Sequence, residues 1–156
     1  MAWIAGGAIL LVLLFLATGE AMASTNITND PSTWPKGDRI WDICRAIAYA
    51  EGAEVAGDIP DRLNNPGDIS DWAGTYGSQY ADGSGVTTFP SKQIGWQKLY
   101  DKWWNIVNGG SSEYSPSMTW TQIAQVWAGD WQDWVNNVTA HLGVSANSTV
   151  ADYVNW

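Results

Sequence analysis

Glu51 is the residue of this 156-residue chain whose type and position best suit acid–base chemistry. It ends the stretch IAYAEG (47–52), where an apolar helical pattern runs into a carboxylate and then a glycine. Glu51 lies eleven residues beyond Ile40. At about 100° per residue, that spacing brings it back to within about 20° of the direction Ile40 takes on a helix. The stripe of Ile40, Cys44 and Ile47, flanked by Ile43 and Ala48, therefore has a glutamate at its end. Burial disfavours an ionised carboxylate, and the negative end of a helix dipole acts in the same direction. Both raise the pKa, and a carboxyl group still protonated near neutral pH is what a general acid requires.

The next residues fit the wall of a cleft. PDRLNNPG (60–67) interrupts any continuing helix, and Asn64 and Asn65 carry both donors and acceptors suited to sugar hydroxyl and acetamido groups. Tyr76, Tyr80 and Phe89, with Trp72 and Trp96 nearby, offer aromatic faces on which a pyranose ring can stack. Twelve tryptophans is an unusual number for this length, although a tryptophan on a helical face more often serves the core than a ligand. Glu54 follows Gly52, off the apolar face, and is expected in solvent. Asp58, Asp61, Asp68, Asp71 and Asp82 read as loop acids. Glycosidases commonly use two carboxylates, about 5 Å apart for retention and roughly 6.5–9.5 Å apart for inversion, and spacing in sequence does not single out the partner.

Composition removes several other chemistries. Seven basic against sixteen acidic residues give a net charge of −9, the wrong sign for a nucleic-acid partner. Cys44 is the only cysteine, which excludes an intramolecular disulfide and a cysteine metal cluster; at a helical apolar position it reads as core filler. His141 is the only histidine, which excludes a histidine-pair zinc site and argues against a Ser-His-Asp triad. The remaining means are carboxylates, tyrosines and backbone, with no metal and no cofactor expected.

A mainly α domain over 36–156 is expected to position these groups, with a small loop and β-hairpin lobe, in an α+β arrangement. The first helix spans about Asp38 to Glu51, with Gly52 just past its end. Residues 53–90 are rich in Gly, Pro and Asn; a hairpin is expected there, turning at Asp82-Gly83 with a strand over Val86 to Phe89. Ser91 precedes a long helix, KQIGWQKLYDKWWNIVN, closed by Gly109-Gly110. A helix over Thr121 to Ala128 and another over WQDWVNNVTAHL, capped by Asp130, come next, and a last turn starts near Thr149.

The first nineteen residues carry no charged side chain, and Ala2 to Gly19 is long enough to cross a bilayer. Two readings of 2–19 stay open: a transmembrane anchor, or a secretory signal cleaved after Ala21-Met22-Ala23, against which stands the lack of any basic residue before the apolar run. Glu20 to Pro35 reads as a polar linker.

Four stretches in order, AIAYAEG, RLNNPGDI, TTFPSKQIGWQKLYDKW and TWTQIAQVWAGDWQDWVNNVTAHLGV, carry a resemblance over about residues 38 to 145. They resemble the lysozyme-like peptidoglycan lytic transglycosylase domains of bacteriophage structural and lysis proteins and of some bacteria. The resemblance implies a lysozyme-like fold with Glu51 as catalytic acid and residues 64–67 in the cleft-forming turn. It also implies cleavage of the β-1,4 bond between N-acetylmuramic acid and N-acetylglucosamine by a single glutamate, with 1,6-anhydro products. The partner is then the peptidoglycan glycan strand, and the domain faces the periplasm or cell wall from a membrane anchor, sits in a virion, or is secreted if residues 1–23 are removed. The chain departs from that pattern at Asp68, where asparagine is usual, in having only two asparagines before the proline, and at Trp127-Ala128-Gly129, which replaces Tyr-Ala-Pro. A competing reading keeps the fold without turnover: a membrane-anchored, tryptophan-rich glycan binder or virion structural protein.

Overall fold

A computed structural model describes residues 38–80 and 85–155. The expected membrane segment 2–19, the linker 20–35 and the hairpin turn at Asp82-Gly83 lie outside the described residues. The described part is mainly helical, and among the described residues no helix is long and apolar enough to cross a membrane.

Helix α1 (Arg39–Ala50) forms the centre. Asp38 starts it: Oδ1 accepts from the backbone N–H groups of Ile40 and Trp41 at 2.9 and 3.3 Å, and Oδ2 accepts from the Tyr100 hydroxyl at 3.1 Å. Ile40, Ile43, Cys44 and Ile47 are buried, as their spacing predicts. The end of α1 is a complete left-handed glycine cap. Gly52 has φ +77°, its N–H donates to the Tyr49 carbonyl at 3.1 Å, and the Ala53 N–H donates to the Ala48 carbonyl at 2.9 Å. The helix thus stops at Glu51 because Gly52 can turn the chain there, which leaves the glutamate side chain on the last half-turn.

Helix α2 (Ile59–Arg62) and helix α3 (Ala73–Tyr76) are single turns inside the region expected to be irregular. Pro60 sits in the first turn of α2, where its missing N–H costs nothing. Helix α4 (Lys92–Val107) starts at Ser91, whose Oγ accepts from the Ile94 N–H at 3.3 Å. Helix α5 (Trp120–Trp127) begins one residue ahead of the expected start because Thr119 and Gln122 form a reciprocal capping box. Helix α6 (Trp131–Leu142) and helix α7 (Val150–Val154) match the expected positions.

Asp130 occupies the N-cap position of α6 but its carboxylate makes no cap hydrogen bond, contrary to expectation; it lines a cleft instead. The expected β-hairpin is also reduced. Ser78 and Thr87 form one antiparallel bridge, supported by Gln79 N–H to Val86 O at 3.0 Å and Thr88 N–H to Gly77 O at 3.0 Å.

Helix α1 packs against α4, α6 and α7, and α5 packs on α6. Much of the tryptophan excess goes into the core: Trp41, Trp103 and Trp120 are almost completely buried. Trp120, Trp103, Trp127 and Trp134 form a file with ring centroids 5.9, 5.7 and 5.9 Å apart. The file leads from the core to the end of α1.

Gly95 on α4 lies against the Asn-Pro-Gly turn. A Cβ there would meet the Asn64 carbonyl oxygen at 1.8 Å, so only glycine lets the turn rest on the helix.

Candidate active site

At the end of the tryptophan file stands Glu51. Trp134, on the first turn of α6, donates its indole N–H to Glu51 Oε1 at 2.8 Å, and Trp127, the last residue of α5, donates to the same oxygen at 3.0 Å. No protein hydrogen bond engages Oε2 among the described residues. The carboxyl group is partly buried and borders a cleft of about 460 Å³ that Asp68, Val86, Asp130, Asp133 and Asn137 also line. Burial raises the Glu51 pKa from 4.5 to about 7; the Trp134 hydrogen bond opposes the rise, the Asp68 charge adds to it, and the Trp127 bond opposes it.

This arrangement divides the two oxygens by role. An oxygen that accepts from two N–H donors is poorly placed to carry a proton, so the proton of the neutral group belongs on Oε2. Once that proton is given away, the two indole donors are already in place to stabilise the resulting carboxylate. Trp127 is itself held from behind. The Lys102 ammonium lies 5.3 Å from its ring centroid and is fixed by Asp71 at 2.7 Å.

Besides Asp130 and Asp133, Asp68 is a further acid of the cleft. It adopts a left-handed backbone conformation with φ +49°, and its Oδ1 is buried with no hydrogen-bond partner among the described residues. Burial raises its pKa from 3.8 to about 6. Beyond Asp68 and Trp127 the cleft adjoins a recess of about 170 Å³ lined by Asp71, Lys102, Glu113 and Tyr114.

The residues expected to meet a sugar do not border the cleft at Glu51. Asn65 is fully buried. Its Nδ2 donates to the carbonyls of Ile69 and Thr87 at 2.8 and 2.9 Å, and its Oδ1 accepts from the Ile69 N–H at 3.1 Å. With its amide fully engaged by backbone, it braces the loop and is not available to a substrate. Phe89 is 1% exposed and receives the edge of Tyr76 at 5.4 Å, so it is core rather than a stacking platform. Asn64, with φ +55°, donates to the Phe89 carbonyl at 3.0 Å and so ties the same two segments together. Tyr76 is partly buried beneath this lobe, and Tyr80 is 57% exposed; neither borders the cleft at Glu51. Glu54 is exposed, as expected.

Sequence reasoning passed over Trp127 and Trp134 as site residues. The one local hint was the polar edge of the indole, which donates where an acceptor comes within reach. A second cavity, about 450 Å³, lies where Arg39 and Tyr153 meet Leu142 to Ser145, and Arg39 there sits 4.9 Å from the Tyr153 ring. Its one carboxylate, Asp152, is drawn below the usual range by hydrogen bonds from Thr149. Among the described residues no group of three or more His, Cys, Asp and Glu is placed to hold a metal ion.

No protein-family model matches the chain, and no curated protein and no solved structure matches it either.

Proposed function

We propose that the chain is a glycoside-bond-cleaving enzyme of the lysozyme or lytic transglycosylase type that acts on the glycan strands of peptidoglycan, with Glu51 as the general acid. One observation carries the reading: Glu51 has a pKa near 7 in an open cleft, with Oε1 tied to two indoles and Oε2 unengaged. A carboxyl group in that state protonates a leaving oxygen at neutral pH and returns as a base in the next half of the reaction.

The order of the AEG and N-N-P-G motifs directs the choice of substrate toward peptidoglycan, and the polar lining of the cleft suits a hydroxyl-rich chain. Residues 2–19, as a membrane segment, would hold the domain beside the wall it cleaves.

Clearing of purified cell walls by the full chain, measured as loss of turbidity and by renaturing zymography, tests the reading. Wild-type protein is expected to clear, and Glu51→Gln to lose about 10²- to 10⁴-fold in rate. Wall binding without clearing would establish the non-catalytic alternative.

A further inference from the structure

Three properties together set Asp68 apart from the other loop acids. Its backbone is held in the left-handed region, which aspartate tolerates at some cost. One carboxylate oxygen is buried without a partner among the described residues, an arrangement that folding alone disfavours. It also faces the same cleft as Glu51, and near enough for its charge to act on that group.

The fold keeps it there deliberately. Asn65 clamps both backbone groups of Ile69, the residue after Asp68, and the Asp68 N–H donates to the Asn65 carbonyl at 3.2 Å. The turn is therefore braced from the core while its acid, half-buried, lines the cleft.

We propose that Asp68 is the second catalytic carboxylate, a base toward water, so that the glycosidic bond is hydrolysed. The proposal rests on the glycan-cleaving reading of the Glu51 cleft and specifies its outcome. Glu51 gives its Oε2 proton to the glycosidic oxygen as the bond from that oxygen to the anomeric carbon breaks. A water oxygen bonds to the anomeric carbon, and its proton passes to the Asp68 carboxylate. Loss of that proton to solvent and uptake of one by Glu51 restore the starting state, with one water consumed per bond.

The protonation states match this division. Between about pH 6 and about pH 7 Asp68 is ionised while Glu51 keeps its proton, and the mutual charge effect makes the two limbs a property of the pair.

Digestion of purified peptidoglycan in ¹⁸O-labelled water, with the products read by mass spectrometry, decides the matter. Wild-type protein should give reducing ends that carry one ¹⁸O. Asp68→Asn, whose amide accepts the same backbone conformation, should lose about 10²- to 10⁴-fold of that labelled product. The pH–rate profile of wild type should fall on the acid side near pH 6, and this limb answers the question even if the variant folds poorly. In the variant the alkaline limb should also move down, because the charge that raises the Glu51 pKa is gone. Glu51-dependent release of 1,6-anhydro ends without ¹⁸O would overturn the role of Asp68 and leave glycan cleavage standing. Full labelled turnover by Asp68→Asn, or a wild-type profile without the acid limb, would overturn it too. No cleavage of any kind by wild type would remove both readings.

Discussion

Glu51→Gln should make the protein more stable, and by an amount that depends on pH. Below pH 4.5 the glutamate is protonated in both the folded and the unfolded chain, so the substitution should change little. As pH rises, the unfolded chain loses this proton first, whereas the folded chain holds it until about pH 7. A raised folded pKa therefore gives stability that is fully present below the unfolded value and is lost as pH climbs through the folded one. The interval from 4.5 to about 7 corresponds to at most about 3 kcal/mol at 1.36 kcal/mol per pH unit, somewhat less where solvent reaches the group. Glutamine has no such penalty. Its amide oxygen can still accept from Trp127 and Trp134, so the packing at the end of the tryptophan file is kept. Urea unfolding followed by circular dichroism at pH 4 and pH 8 measures the difference. The variant should match wild type at pH 4 and exceed it by about 2 to 3 kcal/mol at pH 8. An equal effect at both values, or a loss at pH 8, would refute the claim that folding holds this carboxyl protonated, whatever the substrate proves to be.

Two further substitutions examine the supports of the site. Trp134→Phe keeps a ring in the file but removes one N–H from Glu51 Oε1, and a hydrogen bond to a charged group contributes about 1.5–3 kcal/mol. The alkaline limb of the activity profile should therefore rise by about 1 to 2 pH units; an unmoved limb would mean that the indole does not act on the carboxyl. Asn65→Ala leaves the Ile69 N–H and the Thr87 carbonyl without a partner in a buried place and removes one of the two donors to the Ile69 carbonyl, which should cost about 2–4 kcal/mol in chemical unfolding. A loss below about 1 kcal/mol would show that the loop is braced by something else.

What the sequence revealed follows from the range of the forces involved. Helix α1 was legible at both ends because its start and stop are local: Asp38 caps the N–H groups two and three residues on, and Gly52 reverses the chain one residue past Glu51. The burial of Glu51 was legible for the same reason, since one helix period fixes which face it shares with Ile40. The roles of Asn65 and Phe89 were not. Asn65 bonds to Thr87 across 22 residues, and that contact converts a side chain with the chemistry of a sugar ligand into a brace. The hairpin was overestimated because the same long-range bonds, rather than strand pairing, hold residues 87–89 against the turn.

The tryptophans show most clearly why local reading runs out. Trp127 and Trp134 reach Glu51 across 76 and 83 residues of chain, and nothing in the period of α5 or α6 distinguishes them from Trp103 or Trp120. Yet among the described residues the indole N–H groups of Trp103 and Trp120 are buried without partners, whereas those of Trp127 and Trp134 converge on one oxygen. The same residue type, repeated along one file, fills the core at its inner end and orients an acid at its outer end. What separates the two uses is the position of α1: its glycine cap ends the helix where a carboxylate can meet the last two rings. Moving the glutamate by one residue along α1 would turn it by about 100° about the helix axis, away from both donors. The register of the glutamate on α1 therefore aims it, and Gly52 ends the helix so that the cleft opens beside it.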